Sequence, residues 1–139
     1  MIMKKFSFIL LILLSRSVFL TAQPNYKVVF DITSKDTIDH KLVIRWASEV
    51  LKAEPTAKVE VVFYGQSLDM VVKNKSIVPD KIAALTTNKN ISFKVCKVAM
   101  NAHNIDVSQL VAGVETVPDG IYEIISKQRE GWGYIKVSH

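Results

Sequence analysis

Residues 58–65 read KVEVVFYG, a run of β-branched and aromatic residues that ends at a glycine. This pattern predicts a buried β-strand over Lys58–Tyr64. Toward the N-terminus, Tyr26–Ile32 is a second, nearly continuous apolar run that suits a strand covered on both faces. Between the two runs, Asp36 is a candidate N-cap for a helix whose apolar stripe comprises Ile38, Leu42, Val43, Trp46, Val50 and Leu51. Strand, helix and strand in this order predict a βαβ unit with parallel strands.

The same alternation continues toward the C-terminus. Pro79 fits the first position of a second helix, and Ile91–Cys96 alternates as a strand with two different faces does. Beyond it we predict a short helix, a strand, a helix and a last strand, at Val98–His103, Val114–Val117, residues 121–130 and Trp132–Val137. The expected fold is therefore α/β, a three-layer α/β/α sandwich with a mostly parallel sheet of about five strands.

The first 22 residues have the composition of a secretory signal peptide. Lys4 and Lys5 precede an almost wholly apolar segment, Phe6–Leu14, and the region ends on small residues at Ala22. A permanent signal anchor is the alternative, but the uninterrupted apolar run is shorter than the roughly 20 residues that a spanning helix needs. We predict cleavage after Ala22, one domain over residues 23–139, and export to the periplasm or the exterior.

Charge and missing motifs narrow the possible functions. The formal net charge is +5, and the predicted signal peptide carries three basic residues and no acidic one, which leaves +2 on the remaining chain. That charge is too small and too evenly spread to indicate nucleic-acid binding. The GxGxxG, GxxxxGK[ST] and CxxC patterns and the ligand spacing of a zinc site are all missing from the sequence. We expect no nucleic-acid partner, no cofactor or metal, and no membrane contact after signal cleavage.

Cys96, the single cysteine, falls at the predicted carboxyl end of a strand, where open parallel sheets bind ligands. Ser92, Lys94 and Cys96 share the more polar face of that strand, and Lys97 follows directly. Neighbouring positive charge and a helix N-terminus both favour the nucleophilic thiolate. The sequence therefore indicates a reactive thiol, with a small, buried and inert cysteine as the alternative.

Two further features could belong to the same site. His103 lies seven residues beyond Cys96, two helical turns along the chain, and a Cys–His pair would suit nucleophilic chemistry. A surface histidine without a role is the alternative. The segment Gly65-Gln66-Ser67 follows another strand end and could present backbone amides to an anion, or could be an ordinary strand-to-helix turn. We therefore name Cys96 and His103 as candidate catalytic residues, and Lys94, Lys97, Gly65, Gln66 and Ser67 as candidate binding residues.

The C-terminal half carries an ordered set of short motifs: Val95-Cys96, His103-Asn104-Ile105, Gln109-Leu110, Gly113-Val114, Val117-Pro118-Asp119-Gly120 and Gln128–Ile135. In this order and spacing they resemble the DsrE/DsrF-like family, particularly its small stand-alone members. The segments VVFDIT and VEVVFYG agree more loosely, so the likeness extends over the predicted domain. The resemblance implies a three-layer α/β/α fold and symmetric homo-oligomers, either trimers or hexamers.

The resemblance also implies a chemistry. Sulfur-relay members of the family carry a persulfide on a cysteine and pass its outer sulfur to a partner thiol. Cys96 matches the cysteine that small members carry at the end of this strand, whereas Lys97 and Val98 depart from the small or amide residues that often follow it. The implied function is a sulfur carrier or sulfurtransferase with Cys96 as the acceptor thiol, Lys94 or Lys97 supporting the anion, and His103 moving a proton. Its partners would be a sulfane-sulfur donor and a protein with an acceptor thiol.

Two other functions remain open at this stage. The chain could be a non-catalytic, homo-oligomeric binding module for a small anion or a partner protein, with its ligand near Gly65–Ser67 and the Trp132 and Tyr134 region. It could also be a redox protein whose Cys96 forms a disulfide between two chains.

Overall fold

The computed structural model describes residues 26–139, and the predicted signal peptide over residues 1–22 lies outside this range. The described residues form one five-stranded sheet in which all neighbouring strands are parallel. The strands are β1 (Lys27–Ile32), β2 (Lys58–Phe63), β3 (Ile91–Cys96), β4 (Glu115–Val117) and β5 (Gly133–Lys136). Their order across the sheet is β4-β3-β2-β1-β5. The predicted α/β class and strand number are confirmed, and the sheet is parallel throughout.

Four α-helices connect these strands within the described chain: α1 (Thr37–Ala53), α2 (Pro79–Leu85), α3 (Lys97–Ala102) and α4 (Gly120–Arg129). Their starts follow from local sequence. The Asp36 carboxylate accepts a hydrogen bond of 2.8 Å from the Ile38 N–H at the start of α1. Pro79 opens α2, where its missing N–H costs nothing. Asp119 caps α4 by accepting from the Ile121 and Tyr122 N–H groups.

The strand order distributes the helices unequally between the two faces. Strands β1 to β4 are added one after another toward one edge, and the chain then returns to the other edge to form β5. Right-handed crossovers place the connections between β1 and β4 on one face and the return connection, which contains α4, on the other. The core agrees, because Val43 of α1, Ile82 of α2 and Met100 of α3 share one apolar cluster, while Ile124 of α4 packs on Val29 and Val62.

The apolar stripe expected on α1 is only partly buried. Val43 is inaccessible to solvent, but Ile38 is 51% exposed, and the buried face instead includes Asp39 and His40. These polar groups are tolerated in the interior because each has a partner: His139 Nδ1 lies 3.0 Å from Asp39 Oδ1, and His40 Nε2 lies 3.0 Å from the Ser34 carbonyl oxygen. No helix within residues 26–139 is both long enough and apolar enough to span a bilayer.

Candidate functional site

The carboxyl ends of the parallel strands meet at one edge of the sheet, and Cys96 lies there as the last residue of β3. It also occupies the N-cap position of α3, which begins at the next residue. Its side chain is buried, with 5% of the residue exposed. Even so, it lines a cleft of about 240 Å³ together with Tyr64, Gly65, Val98, Ala99, Ala102, His103, Asp119 and Ile121. We call this space the thiol cleft.

The start of α4 packs tightly against the thiol because its first residue is a glycine. A Cβ atom built on Gly120 would lie 3.1 Å from the Cys96 Cβ and 3.3 Å from a Val62 methyl group. These distances are tighter than ordinary carbon–carbon contacts, so a larger residue would push the helix away. Asp119, the capping residue just before it, is thereby held at the cleft beside Ile121.

His103 follows the last residue of α3 and also lines the thiol cleft. Its Nε2 lies 2.8 Å from the carbonyl oxygen of Gly65. Because a carbonyl oxygen can only accept, Nε2 carries the hydrogen and donates it, and in the neutral ring the lone pair lies on Nδ1. The structure thus brings three of the predicted residues, Cys96, His103 and Gly65, to one cleft. Gly65 has φ +62°, a backbone conformation that a side chain would strain.

The predicted binding lysines lie elsewhere. Lys94 shares the sheet face of Cys96, but its Nζ is 2.6 Å from the Glu115 carboxylate on β4, the residue opposite it in the sheet. Lys97 is exposed as the first residue of α3 and does not line the thiol cleft. The expected support of the thiolate by either ammonium is therefore not seen in the geometry. Alternation along β3 correctly placed Lys94 on the face of Cys96 but could not identify its partner on β4.

Gln66 and Ser67 also have different settings. Ser67 is fully buried, and its Oγ lies 2.8 Å from the Ile32 carbonyl oxygen and 2.9 Å from that of Tyr64, which ties the β2 turn to β1. This is a structural role, and the hydroxyl is not available to a ligand. Gln66 is exposed and lines a second, more polar cleft of about 290 Å³ with Lys35, Leu68, Asp69, Lys75 and His103. His103 therefore separates two adjoining clefts.

A buried carboxylate that sequence reasoning missed supports the wall of the thiol cleft. Asp31 on β1 is 4% exposed and accepts three hydrogen bonds. Tyr64 and Tyr134 donate their hydroxyls to Oδ2 at 3.1 and 2.6 Å, and the Lys136 ammonium lies 2.9 Å from Oδ1. Burial and the Asp31 charge raise the pKa of Tyr64 to about 12, and the hydrogen bond to Asp31 raises the pKa of Tyr134 to about 12. Both phenols therefore remain donors at neutral pH. The sequence did carry one sign of this buried carboxylate, because Asp31 is a single acidic residue inside the apolar run VVFDIT.

A second buried carboxylate lies under α4. Glu60 on β2 is 2% exposed, and its pKa is raised to about 7 by burial and by the nearby Glu123 carboxylate. The Lys127 ammonium lies 3.7 Å from Glu60 and opposes this rise. In residues 26–139, no three or more histidine, cysteine or acidic side chains are grouped closely enough to hold a metal ion.

An all-parallel α/β domain with a buried thiol and an imidazole at the carboxyl edge of its sheet defines the class of this protein. The DsrE/DsrF-like family model matches residues 27–137, so the chain belongs to the DsrE/DsrF-like family, a family linked to sulfur relay. The resemblance seen in the sequence is thereby confirmed. No curated protein matches the chain.

Three solved structures share the fold. MTH1491, a protein of unknown function from Methanobacterium thermoautotrophicum, is 28% identical, with a TM-score of 0.75 over 80% of this chain and 98% of that one. YchN from E. coli is 14% identical, with a TM-score of 0.67 over 81% and 98% of the two chains. BT1422, a conserved protein of unknown function from Bacteroides thetaiotaomicron, is 14% identical, with a TM-score of 0.64 over 84% and 98%. The two likenesses at 14% identity show the fold alone.

Proposed function

We propose that this protein is a persulfide-type sulfur carrier, or sulfurtransferase, whose acceptor thiol is Cys96. The observation that carries the proposal is that this thiol and the imidazole of His103 line one cleft at the carboxyl edge of the sheet. Membership in a family linked to sulfur relay supports the same chemistry. The cysteine is buried yet lines an open cleft, which suits a group that must hold a reactive sulfur away from bulk water.

The chain's own groups can supply each part of the transfer. The Cys96 proton passes to His103 Nδ1, the ring nitrogen that carries the lone pair. The thiolate then attacks the sulfane sulfur of a donor, the donor's sulfur–sulfur bond breaks, and its leaving group departs with the electron pair. Cys96 holds the outer sulfur as a persulfide until an acceptor thiol attacks it. No net oxidant or reductant is consumed in either transfer.

Export and assembly belong to the same proposal. The composition of residues 1–22 supports a secreted or periplasmic protein, in which the donor must be available outside the cytoplasm. A homo-oligomer, trimer or hexamer, is supported by the exposed apolar side chains on α4, since Ile121, Tyr122 and Ile125 are 57%, 66% and 43% exposed. Ile121 also lines the thiol cleft.

The test is sulfur loading measured by intact mass. Purified protein is incubated with inorganic polysulfide, and we expect a gain of one sulfur atom that a reductant removes. Cys96→Ser should gain none while keeping the wild-type circular dichroism spectrum. His103→Gln should load more slowly because the proton acceptor is lost. Equal loading of the wild type and Cys96→Ser would refute the proposal.

A second function is favoured by the polar cleft on the other side of His103. Lys35 and Gln66 line it and could bind a small anion without any part played by the thiol, whereas the Lys75 ammonium is paired with the Asp69 carboxylate at 3.0 Å. The protein would then be a homo-oligomeric binding module. Anion binding measured by calorimetry that is unchanged in Cys96→Ser and lost in Lys35→Gln would favour this function over sulfur transfer.

A further inference from the structure

The walls of the thiol cleft are mainly apolar. Tyr64 lines it together with four aliphatic side chains, namely Val98, Ala99, Ala102 and Ile121. Such surroundings favour a ligand that leaves water easily, because moving a charged group into an apolar site without a partner is strongly unfavourable. A doubly charged inorganic anion is therefore poorly matched to this cleft.

The distribution of charge points the same way. Among the described side chains that line the thiol cleft, Asp119 is the one carboxylate, and none is a lysine or an arginine. The nearby ammonium groups do not balance it, because Lys94 is paired with Glu115 and Lys35 lines the other cleft. A carboxylate in the lining disfavours a dianion such as thiosulfate. It does not repel a neutral molecule.

Size sets a further limit. Ligand pockets for drug-sized molecules occupy roughly 300–1,000 Å³. The thiol cleft, at about 240 Å³, is smaller than that range. It holds one ring or a short chain next to the reacting sulfur atoms, so the body of a larger donor such as glutathione persulfide would extend outside the cleft.

We propose that the sulfur donor of this protein is a small, uncharged organic persulfide, R–S–SH, whose apolar group R lies against Val98, Ala102 and Ile121. This inference rests on the proposed sulfur-carrier function and narrows its substrate class. The apolar walls and the Asp119 carboxylate both favour the neutral R–S–SH over its anion, and the protonated form is the one that accepts attack at its outer sulfur.

The transfer is balanced in atoms and electrons. The Cys96 thiolate attacks the outer sulfur of R–S–SH, and a new sulfur–sulfur bond forms. The donor's own sulfur–sulfur bond breaks, and R–S⁻ leaves with the electron pair. The proton that Cys96 gave up passes through His103 to R–S⁻. The products are Cys96–S–SH and R–SH, with no external oxidant or reductant.

The experiment compares three donors on the purified wild-type protein: benzyl persulfide, glutathione persulfide and thiosulfate. Loading of Cys96 is followed by intact mass. Each loading rate is divided by the rate at which the same donor reacts with free 2-mercaptoethanol, which corrects for differences in intrinsic reactivity between the donors. We expect the normalised rate for benzyl persulfide to exceed the other two by about tenfold or more, the equivalent of 1.4 kcal/mol. Prolonged incubation with inorganic polysulfide tests the thiol itself, because an anionic donor should load Cys96 slowly rather than not at all.

A matched pair of variants tests the cleft itself. Val98 is 59% exposed in the first turn of α3, so Val98→Asp adds a second negative charge at the cleft at a position where helices accept acidic residues. Ile77 is 47% exposed, lies just before α2 and does not line the cleft, so Ile77→Asp is the control. We expect benzyl persulfide loading to fall about tenfold in the first variant and to stay unchanged in the second.

The outcomes separate this inference from the proposal beneath it. Loading by polysulfide together with a normalised preference for thiosulfate or glutathione persulfide would overturn the inference and leave the carrier function standing. An unchanged benzyl persulfide rate in Val98→Asp would overturn it as well. Failure of every donor, polysulfide included, would overturn both.

Discussion

Replacement of Asp31 by asparagine should destabilise the protein by about 2–3 kcal/mol, because hydrogen bonds to a charged group contribute roughly 1.5–3 kcal/mol and neutral ones roughly 0.5–1.5. The two phenol hydroxyls of Tyr64 and Tyr134 both donate to Oδ2, and each loses about 1 kcal/mol when its acceptor becomes neutral. The Lys136 ammonium adds less, at most about 1 kcal/mol, because its side chain is 41% exposed and can return to water.

The assay is urea unfolding followed by far-ultraviolet circular dichroism at pH 7, with the slope of the transition compared between variants. Glu115→Gln is the matched control, since it also removes a carboxylate that pairs with a lysine on this face of the sheet. Glu115 is 62% exposed, so its loss should cost less than about 1 kcal/mol. If Asp31→Asn loses no more stability than Glu115→Gln, the buried network does not stabilise the cleft wall as argued.

Two further predictions concern pH. The hydrogen bond from His139 to Asp39 and the charge of that carboxylate raise the pKa of His139 above 6.5. The contribution of the protonated His139 to stability is therefore fully present below pH 6.5 and is lost as the pH rises through the folded-state pKa. His139→Ala should therefore lower the urea midpoint at pH 6 more than at pH 9, and an equal change at both values would contradict this. The pKa of Glu60 is raised from 4.5 to about 7, chiefly by burial, so the folded state keeps a proton that the unfolded state loses, and stability should fall between those two pH values. Glu60→Gln should flatten that decline in a series of urea titrations, and a slope equal to that of the wild type would count against it.

The surroundings of Cys96 at the carboxyl edge of the sheet differ from those that the sequence suggested. Sequence neighbours suggested that positive charge near Cys96 would support an anionic sulfur, but Lys94 is held by Glu115 and the cleft has apolar walls. The donor preferred by such a site differs from the one that a cationic site would prefer. Cys96 and His103, by contrast, line the same cleft, because α3 begins directly after β3 and ends just before the histidine.

Residues distant in the sequence account for most of what the sequence analysis missed. Asp31 is joined to Tyr134 and Lys136 across more than a hundred residues, because the chain returns past the whole sheet to place β5 beside β1. The segment Gly65–Ser67 was predicted to present backbone amides to an anion, but the Gln66 N–H donates to the Thr33 carbonyl oxygen and the Ser67 N–H donates to that of Tyr64. Neither pairing has a periodicity or a motif that could reveal it beforehand.

The sequence by itself determined the α/β class, the five strands and the place of Cys96 at the carboxyl edge, because hydrophobic runs, caps and glycines act over a few residues and are local. It also carried the family membership through an ordered set of motifs. Only the tertiary structure decided the polarity of the thiol cleft, the partner of Lys94 and the buried setting of Asp31. Those properties depend on which side chains from separate strands and helices meet, and the strand order that brings them together is a property of the whole chain.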